Sequence, residues 1–498
     1  MKRAILLFSL VLAVTTAPAQ TAWVQRYSGP GNSDSHATAI VLDSSNNVVV
    51  TGYSTNAASG YDFATIKYSS VGSPVWTNRY NGPANGDDQA SAVVVDTTNN
   101  VIVTGVSGSA PNGDFVTIKY SSAGAPLWTN RYNGPANGDD YAWAMVRDAS
   151  NNVIVAGSSW NGTAYDYATI KYSGAGVPVW TNRYNAPAND NDQASAVAVD
   201  ASNNVIVTGY SGNGTDNDYT TIKYSTAGVP LWTNRYDGPA NGDDYAYSLV
   251  VDASNNIVVT GSSWNGTDND YATIKYSGTG VPLWTNRYDG PATGDDQASA
   301  LAMDASNNVI VTGFSTGSGG YKDYATIQYS NNGVPLWTNR YNGPANGDDI
   351  PYALRVDATN NVVVTGRSGA DPNGDYATIK YSSAGVLFAI SRYNGPGNGD
   401  DQPNALAVDR SGNVFATGTS WNGTNFDYAT IKCAFLPPPI PLSIQKLNNQ
   451  LVLSWTSAAF SLQSAPAITA TFTNVPGATN PYTNPITGAQ NFFRLISK

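Results

Sequence analysis

The 498-residue chain contains no glutamate; all 36 of its acidic residues are Asp. Glu favours helices, whereas Asp favours turns and caps. With 48 Gly and abundant Asn, Ser and Thr, this argues against a helical protein and predicts an all-β one dense in turns. A single histidine, His36, excludes a multi-histidine metal site and leaves room for one Ser-His or Cys-His pair at most. A single cysteine, Cys433, excludes an internal disulfide, and a chain of this length can bury enough core without one. Charged residues make up only 12%, with a net charge of −11 and no basic cluster, which argues against a nucleic-acid partner. No stretch reaches 18 apolar residues, so no membrane span is expected.

The first 19 residues read as a secretory leader. Lys2 and Arg3 precede the apolar run Ala4 to Val14, and Ala17-Pro18-Ala19 offers a small-residue cleavage site. The expectation is an exported mature chain starting near Gln20, with net charge about −13 once Lys2 and Arg3 are lost. Its destination is extracellular, cell-surface or periplasmic, and it is expected to be monomeric.

What fills the rest is one unit repeated. The string WTNRYNGPANGDDQASAVVVDTTNNVIVTG begins at Trp76, and close copies begin at Trp128, Trp180, Trp232, Trp284 and Trp337, spaced by 52 residues and once by 53. Divergent copies open at Trp23 and Ala389. A period of this size marks supersecondary units that bury their apolar faces only against each other. Each unit holds four strand-like runs, as in Ser195–Asp200, Asn204–Gly209, Asp218–Tyr224 and Val229–Tyr236. Tight turns (DASNN, STAG) join the first to the second and the third to the fourth, and longer loops make the other connections. The first two runs are apolar at consecutive positions, which predicts burial on both faces. The third and fourth, carrying Thr, Lys, Asn and Arg, are expected to be partly exposed.

This pattern predicts an eight-bladed β-propeller of four-stranded blades over residues 20–433. The array begins with a fourth strand (Ala22 to Tyr27) and ends with a third (Asp427 to Cys433). Pairing the two ends would complete the eighth blade and cover an open edge. A Pro-rich linker follows at 434–441, then a small β-rich module at 442–498 that is expected to be sandwich-like.

The runs AVAVDASNNVIVTG and DYTTIKYSTAGVPLW resemble the SBBP repeat of secreted bacterial proteins, over residues 22 to 433. The family's name implies seven blades, whereas eight units are counted here. The resemblance implies an extracellular or surface scaffold with no shared catalytic residues. The tail looks like the small fibronectin-like modules that end many secreted bacterial proteins.

Candidate site residues lie in the two long loops of each blade, which should share one face of the disc. That face carries the acid pairs Asp87-Asp88, Asp139-Asp140, Asp243-Asp244, Asp295-Asp296, Asp348-Asp349 and Asp400-Asp401. They are read as loop-shaping acceptors, with a Ca²⁺ ring as the competing use. No other cofactor is expected. The Lys of TIKY (Lys67, Lys119 and copies) and the Arg of NRY (Arg79, Arg131 and copies) are expected to pair with blade carboxylates or to snorkel over the outer strands. The loop SWNGT places Trp160, Trp264 and Trp421 beside Asn161, Asn265 and Asn422. A flat ring with a polar rim suits a sugar, and folding back onto the blade is the other reading. Trp143 and Tyr247 fall near the axis, where they either narrow the channel or pack.

The function expected from these features is a secreted or surface-displayed binding scaffold for glycan or protein, without catalysis. The alternative is a polysaccharide hydrolase or lyase using loop Asp residues. The near-identity of the acid pairs argues against it, because a catalytic site is unique.

Overall fold

A computed structural model describes residues 20–56, 60–108, 112–369, 373–434, 443–448, 450–455, 460–466, 471–485 and 492–497. The expected leader and nearly all of the Pro-rich linker lie outside them. The chain divides into two compact units, the larger spanning Ala17–Phe435 and the smaller holding Leu436–Lys498. The described residues form strands and no helix, so none is long and apolar enough to cross a membrane.

The larger unit consists of eight four-stranded antiparallel sheets in series. The first blade is Ser35–Leu42, Val48–Asn56, Gly60–Tyr68 and Pro74–Tyr80. The eighth takes Asp401–Val408, Val414–Trp421 and Phe426–Ala434, and its outer strand is Gln20–Tyr27 from the start of the chain. That strand pairs Trp23 with Lys432 and Tyr27 with Tyr428, so the expected closure is present. Trp23 also packs at ring distances of 6.2 Å from Tyr68 of blade one and 6.0 Å from Phe415 of blade eight. It therefore lies on the seam it closes.

Each core cluster of the propeller draws on two neighbouring blades. Val49 and Phe63 of blade one meet Val101, Val103 and Ile118 of blade two, and Phe415 and Tyr428 of blade eight meet Val48 and Ile66 of blade one. A blade has no core of its own, which is why the unit is repeated and closed. Polar groups repeat the same link. Trp76 Nε1 donates to the Ser122 carbonyl at 3.2 Å and Asn78 Nδ2 to that of Gly124 at 2.8 Å, both one blade on. Gly124 has a φ of +88°, and a Cβ there would meet the Trp76 ring at 2.9 Å. Only glycine fits this turn.

Burial corrects two sequence expectations. The second strand is buried along nearly its whole length, as its unbroken apolar run implies, but the first is only half-buried. It is the innermost strand of the blade, meeting first strands of the blades on either side, and it borders the central channel that a propeller leaves at its axis. The third strand, expected to be partly exposed, is buried throughout except at its first residue. Its polar groups are paired inside: Thr51 and Thr65 share a 2.9 Å hydroxyl contact, and Lys67 reaches Asp43 at 2.9 Å. The fourth strand is the exposed one. The first strand also begins earlier than its apolar run, at Asp192 rather than Ser195 in blade four, so the second acid of a pair belongs to the sheet.

In the smaller unit, Ser443–Leu447, Gln450–Ser454 and Tyr482–Pro485 form one sheet. Thr473–Asn474, Phe460–Ala465 and Phe492–Ser497 form a second. Leu453, Trp455 and Leu462 are its shared core, with Tyr482 and Phe493 against them, as expected of a small sandwich.

Candidate functional site

The two faces of the propeller are built differently. On the tight-turn face, each Asp-led turn is closed by its own residues and tied to the next blade. Asp43 Oδ1 accepts the Ser45 and Asn47 N–H groups, both at 2.9 Å, and Ser44 N–H donates to Asn99 Oδ1 at 3.0 Å. Asn46 takes a φ of +60°, a left-handed conformation that Asn tolerates better than most residues. These turns recur nearly unchanged around the ring. The long-loop face carries differences between blades and the three cavities described below.

The paired acids on that face divide two tasks between them. The first of each pair reaches back to the blade before it. Oδ1 of Asp87, Asp139, Asp243, Asp295 and Asp348 accepts the N–H of Tyr61, Gly113, Asn217, Asn269 and Lys322, at 2.9–3.1 Å. Asp34 and Asn191 do the same for Phe426 and Tyr165, and Asp400 takes the Arg367 guanidinium at 2.5 Å. The second acid is fully buried and folds its own leading loop. Oδ2 of Asp88, Asp140, Asp244, Asp349 and Asp401 accepts the N–H of Gly82, Gly134, Gly238, Gly343 and Gly395, at 2.5–2.6 Å. Asp296 takes that of Gly290. Burial pushes these carboxyls up, to about 6 for Asp192, Asp244 and Asp296, against hydrogen bonds that favour the anion.

The carboxylates that could share a cation are grouped differently from the sequence pairs. Asp218, Asp237 and Asp244 bring one oxygen each within 4.8 Å of one another, as do Asp270, Asp289 and Asp296. These trios arise where the loop opens with Asp237 or Asp289 in place of the usual Asn. Arg235 and Arg287 already sit on Asp218 and Asp270 at 2.6 and 2.8 Å, so part of the negative charge is neutralised. The recurrent Lys and Arg pair with carboxylates in like manner, Lys171 with Asp148 at 2.9 Å and Arg79 with Asp62 at 2.8 Å.

The SWNGT tryptophans are half-buried at the ends of second strands. Their backbone N–H groups donate to the carbonyls of Asp139, Asp243 and Asp400 at 3.1–3.2 Å. The indoles lie over Gly138, Gly242 and Gly399, leaving no space there for a Cβ. Trp160 also meets Tyr165 edge-on at 5.2 Å, and Trp421 meets Phe426 at 5.1 Å. The amides beside them shape the turn. Asn161 Nδ2 donates to Asp166 at 2.6 Å while its Oδ1 accepts from Thr163 and Ala164, and Asn265 and Asn422 repeat this.

Trp143 is placed otherwise. It is 46% exposed, the one tryptophan among the described residues classed with the exposed large hydrophobics. It sits at a bulge between Ala142 and Ala144 on the first strand of blade three. The same bulge recurs in every blade, and bulges re-aim side chains. The residue there alternates around the ring: Ser91, Ser195 and Ser299 in blades two, four and six, and Trp143, Tyr247 and Tyr352 in three, five and seven. That alternation is legible in the sequence once the eight units are aligned, and it is the signal that could have separated Trp143, already placed near the axis, from the loop tryptophans.

Three cavities open around these residues. A cavity of about 480 Å³ over blade two is lined by Tyr53, Asp87, Gln89, Ser91, Asp139, Tyr141 and Trp143, among others. One of about 400 Å³ holds His36, Gln402, Asn404 and Thr419, and a third of about 330 Å³ lies by Asp190, Tyr210, Asp216 and Asp243. His36 lies tilted against Tyr53, with ring centres 5.0 Å apart, and meets Thr419 Oγ1 at 3.3 Å, and burial lowers its pKa. Cys433 is buried beside Ser391, and burial pushes its thiol up to about 11, far from a nucleophile's range.

Known proteins agree with this architecture. Residues 390–427 match the model of the SBBP family, a beta-propeller repeat. An uncharacterized WD repeat-containing protein of Acanthamoeba polyphaga mimivirus is 24% identical over aligned segments that cover 76% of this chain. They cover only 35% of that relative, so the chain spans about a third of its length. Among solved structures, Chaetomium thermophilum Sqt1 bound to the N-terminus of ribosomal protein L10 superposes with a TM-score of 0.53 at 10% identity. The match covers 83% of this chain and all of that one. Sqt1 alone gives 0.51 at 9% identity, over 84% and 98%. At such identity the likeness is one of fold.

Proposed function

We propose that this chain is a non-catalytic binding scaffold, exported to the cell surface or beyond, that holds a glycan or protein ligand on its long-loop face. One observation carries this reading: the three cavities described, and the aromatic and polar side chains that differ between blades around them, lie on that face and at the axis, while the opposite face carries repeated, internally bonded turns. Propellers use loops on a rigid ring for recognition. Peptide binding by Sqt1 is consistent with a protein ligand, and the carboxylates, tied to backbone N–H groups in blade after blade, argue against the hydrolase alternative.

The test is to probe immobilised neutral and charged glycans and peptides with the mature chain. Saturable binding lost on substitution at the long-loop face, and kept on substitution in the tight turns, supports the scaffold. Cleavage of a polysaccharide, abolished by a single Asp change, would replace it with an enzyme.

A further inference from the structure

We infer that the 480 Å³ cavity over blade two is a binding site for a pyranose ring of a neutral glycan, with Trp143 as its platform. This deepens the scaffold reading and rests on it. The cavity has the size of a small-ligand site, and its aromatic wall is built rather than incidental. Trp143 lies nearly parallel to Tyr141, with ring centres 5.5 Å apart and 18° between planes, so the indole is backed by a second ring. Its Nε1 is directed to Ser158 Oγ at 3.4 Å. The face of a pyranose presents C–H groups that pack on such a surface without a charge.

The polar lining selects among ligands. Gln89, Ser91 and Tyr53 can each donate and accept hydrogen bonds. Sugar hydroxyls also do both, so each group finds a partner. A cationic side chain only donates, and would leave the donors of the cavity idle. Asp87 and Asp139 add acceptors, and both are fixed in place by the backbone N–H groups of Tyr61 and Gly113. No Lys or Arg lines the cavity among the described residues, so a uronate, sulfate or phosphate would meet two carboxylates with no counter-charge. A neutral hexose or N-acetylhexosamine unit meets each of these terms.

The experiment is ¹⁹F NMR on the full mature chain labelled with 5-fluorotryptophan, with the Trp143 resonance assigned from Trp143→Phe. The probes are cellohexaose, maltohexaose, chitohexaose, a hexagalacturonate and a trilysine peptide. The expected result is a saturable shift of the Trp143 resonance with at least one neutral hexasaccharide and none with the other two probes. Trp143→Ala and Gln89→Ala should each weaken binding of that sugar ten-fold or more, with melting temperatures close to the parent's. A Trp143 shift with trilysine, or none with any neutral sugar, overturns the site. Should a sugar bind equally to parent and Trp143→Ala, the scaffold reading stands and the placement at this cavity falls. If Trp143→Ala proves unstable, Gln89→Ala and the unlabelled parent's competition for the same sugar decide it.

Discussion

Single residues in this protein can be judged against their own copies in other blades. The buried Lys–Asp pair is the clearest case. Lys171 and Asp148 are both nearly inaccessible. Hydrogen bonds from Asn152 and Lys171 hold the Asp148 carboxyl below its usual range, overcoming the burial that would raise it. Blade six carries Gln328 at the same place, and its Nε2 donates to Asp304 at 3.0 Å. Lys171→Gln should therefore fold with a small loss, whereas Lys171→Ala, which leaves a buried carboxylate unpaired, should cost about 3–5 kcal/mol. Urea melts of the two variants check this, and equal losses would show that the pair does nothing beyond filling space. The acid trios are a second case. Asp237→Asn with Asp289→Asn restores the residue other blades carry and removes like-charge repulsion within each trio. The pair of changes should hold or raise the melting temperature, and EDTA should leave the parent's nearly unchanged. A fall of several degrees in EDTA, reversed by Ca²⁺, would make the trios metal sites, since a site filled at 100 times its Kd adds about 2.7 kcal/mol.

At the scale of strands and blades, closure is the testable feature. Removing residues 20–28 deletes the outer strand of blade eight, with Trp23 and Tyr27, which pack on the seam core. At roughly 1.5–3 kcal/mol for each large apolar side chain, the loss is several kcal/mol before the strand's hydrogen bonds are counted. Re-attaching the same strand after Ala434 through a short turn should recover most of it, which a melt of the permuted chain would show. If deletion leaves the melting temperature unmoved, the seam is held by something else. Blade number and closure were readable because the repeat is strict and its two ends are out of phase. Burial was readable for the second and fourth strands but not for the first and third. The third strand's Thr and Lys look solvent-facing until their partners are known, and Asp43 for Lys67 lies across the sheet at the end of the first strand. The tryptophans decide between readings the sequence left open. Trp160 folds back onto its blade, with the leading loop at Gly138 beneath it. Trp143, which the sequence places near the axis either narrowing the channel or packing, stays 46% exposed there.

For the whole molecule, the ring sums what each blade contributes, and the titration of its acids shows this most directly. Two sets of carboxylates pull in opposite directions. Burial raises the acids that begin the first strands, Asp88, Asp140, Asp349 and Asp401, and takes Asp192, Asp244 and Asp296 up to about 6. In this set the folded chain binds protons more tightly than the unfolded chain. Its stabilising contribution is complete below about 3.8 and is lost as pH rises through about 6. The acids facing the buried lysines, among them Asp43, Asp148, Asp200 and Asp252, are held below 3.8. Their contribution is present above that value and is lost only as pH falls beneath it. The protein should therefore gain stability from pH 8 down to about pH 4.5 and lose it steeply in stronger acid. Denaturant melts across pH 3–8 measure this. Asp192→Asn with Asp244→Asn and Asp296→Asn keeps the shape and removes the titration, so it should flatten the slope between pH 4.5 and 7 and raise stability at pH 8. A parent that becomes steadily more stable from pH 5 to pH 8, or a triple variant with an unchanged slope, would mean that these acids are ionised in the fold and stabilised by contacts beyond those that bury them.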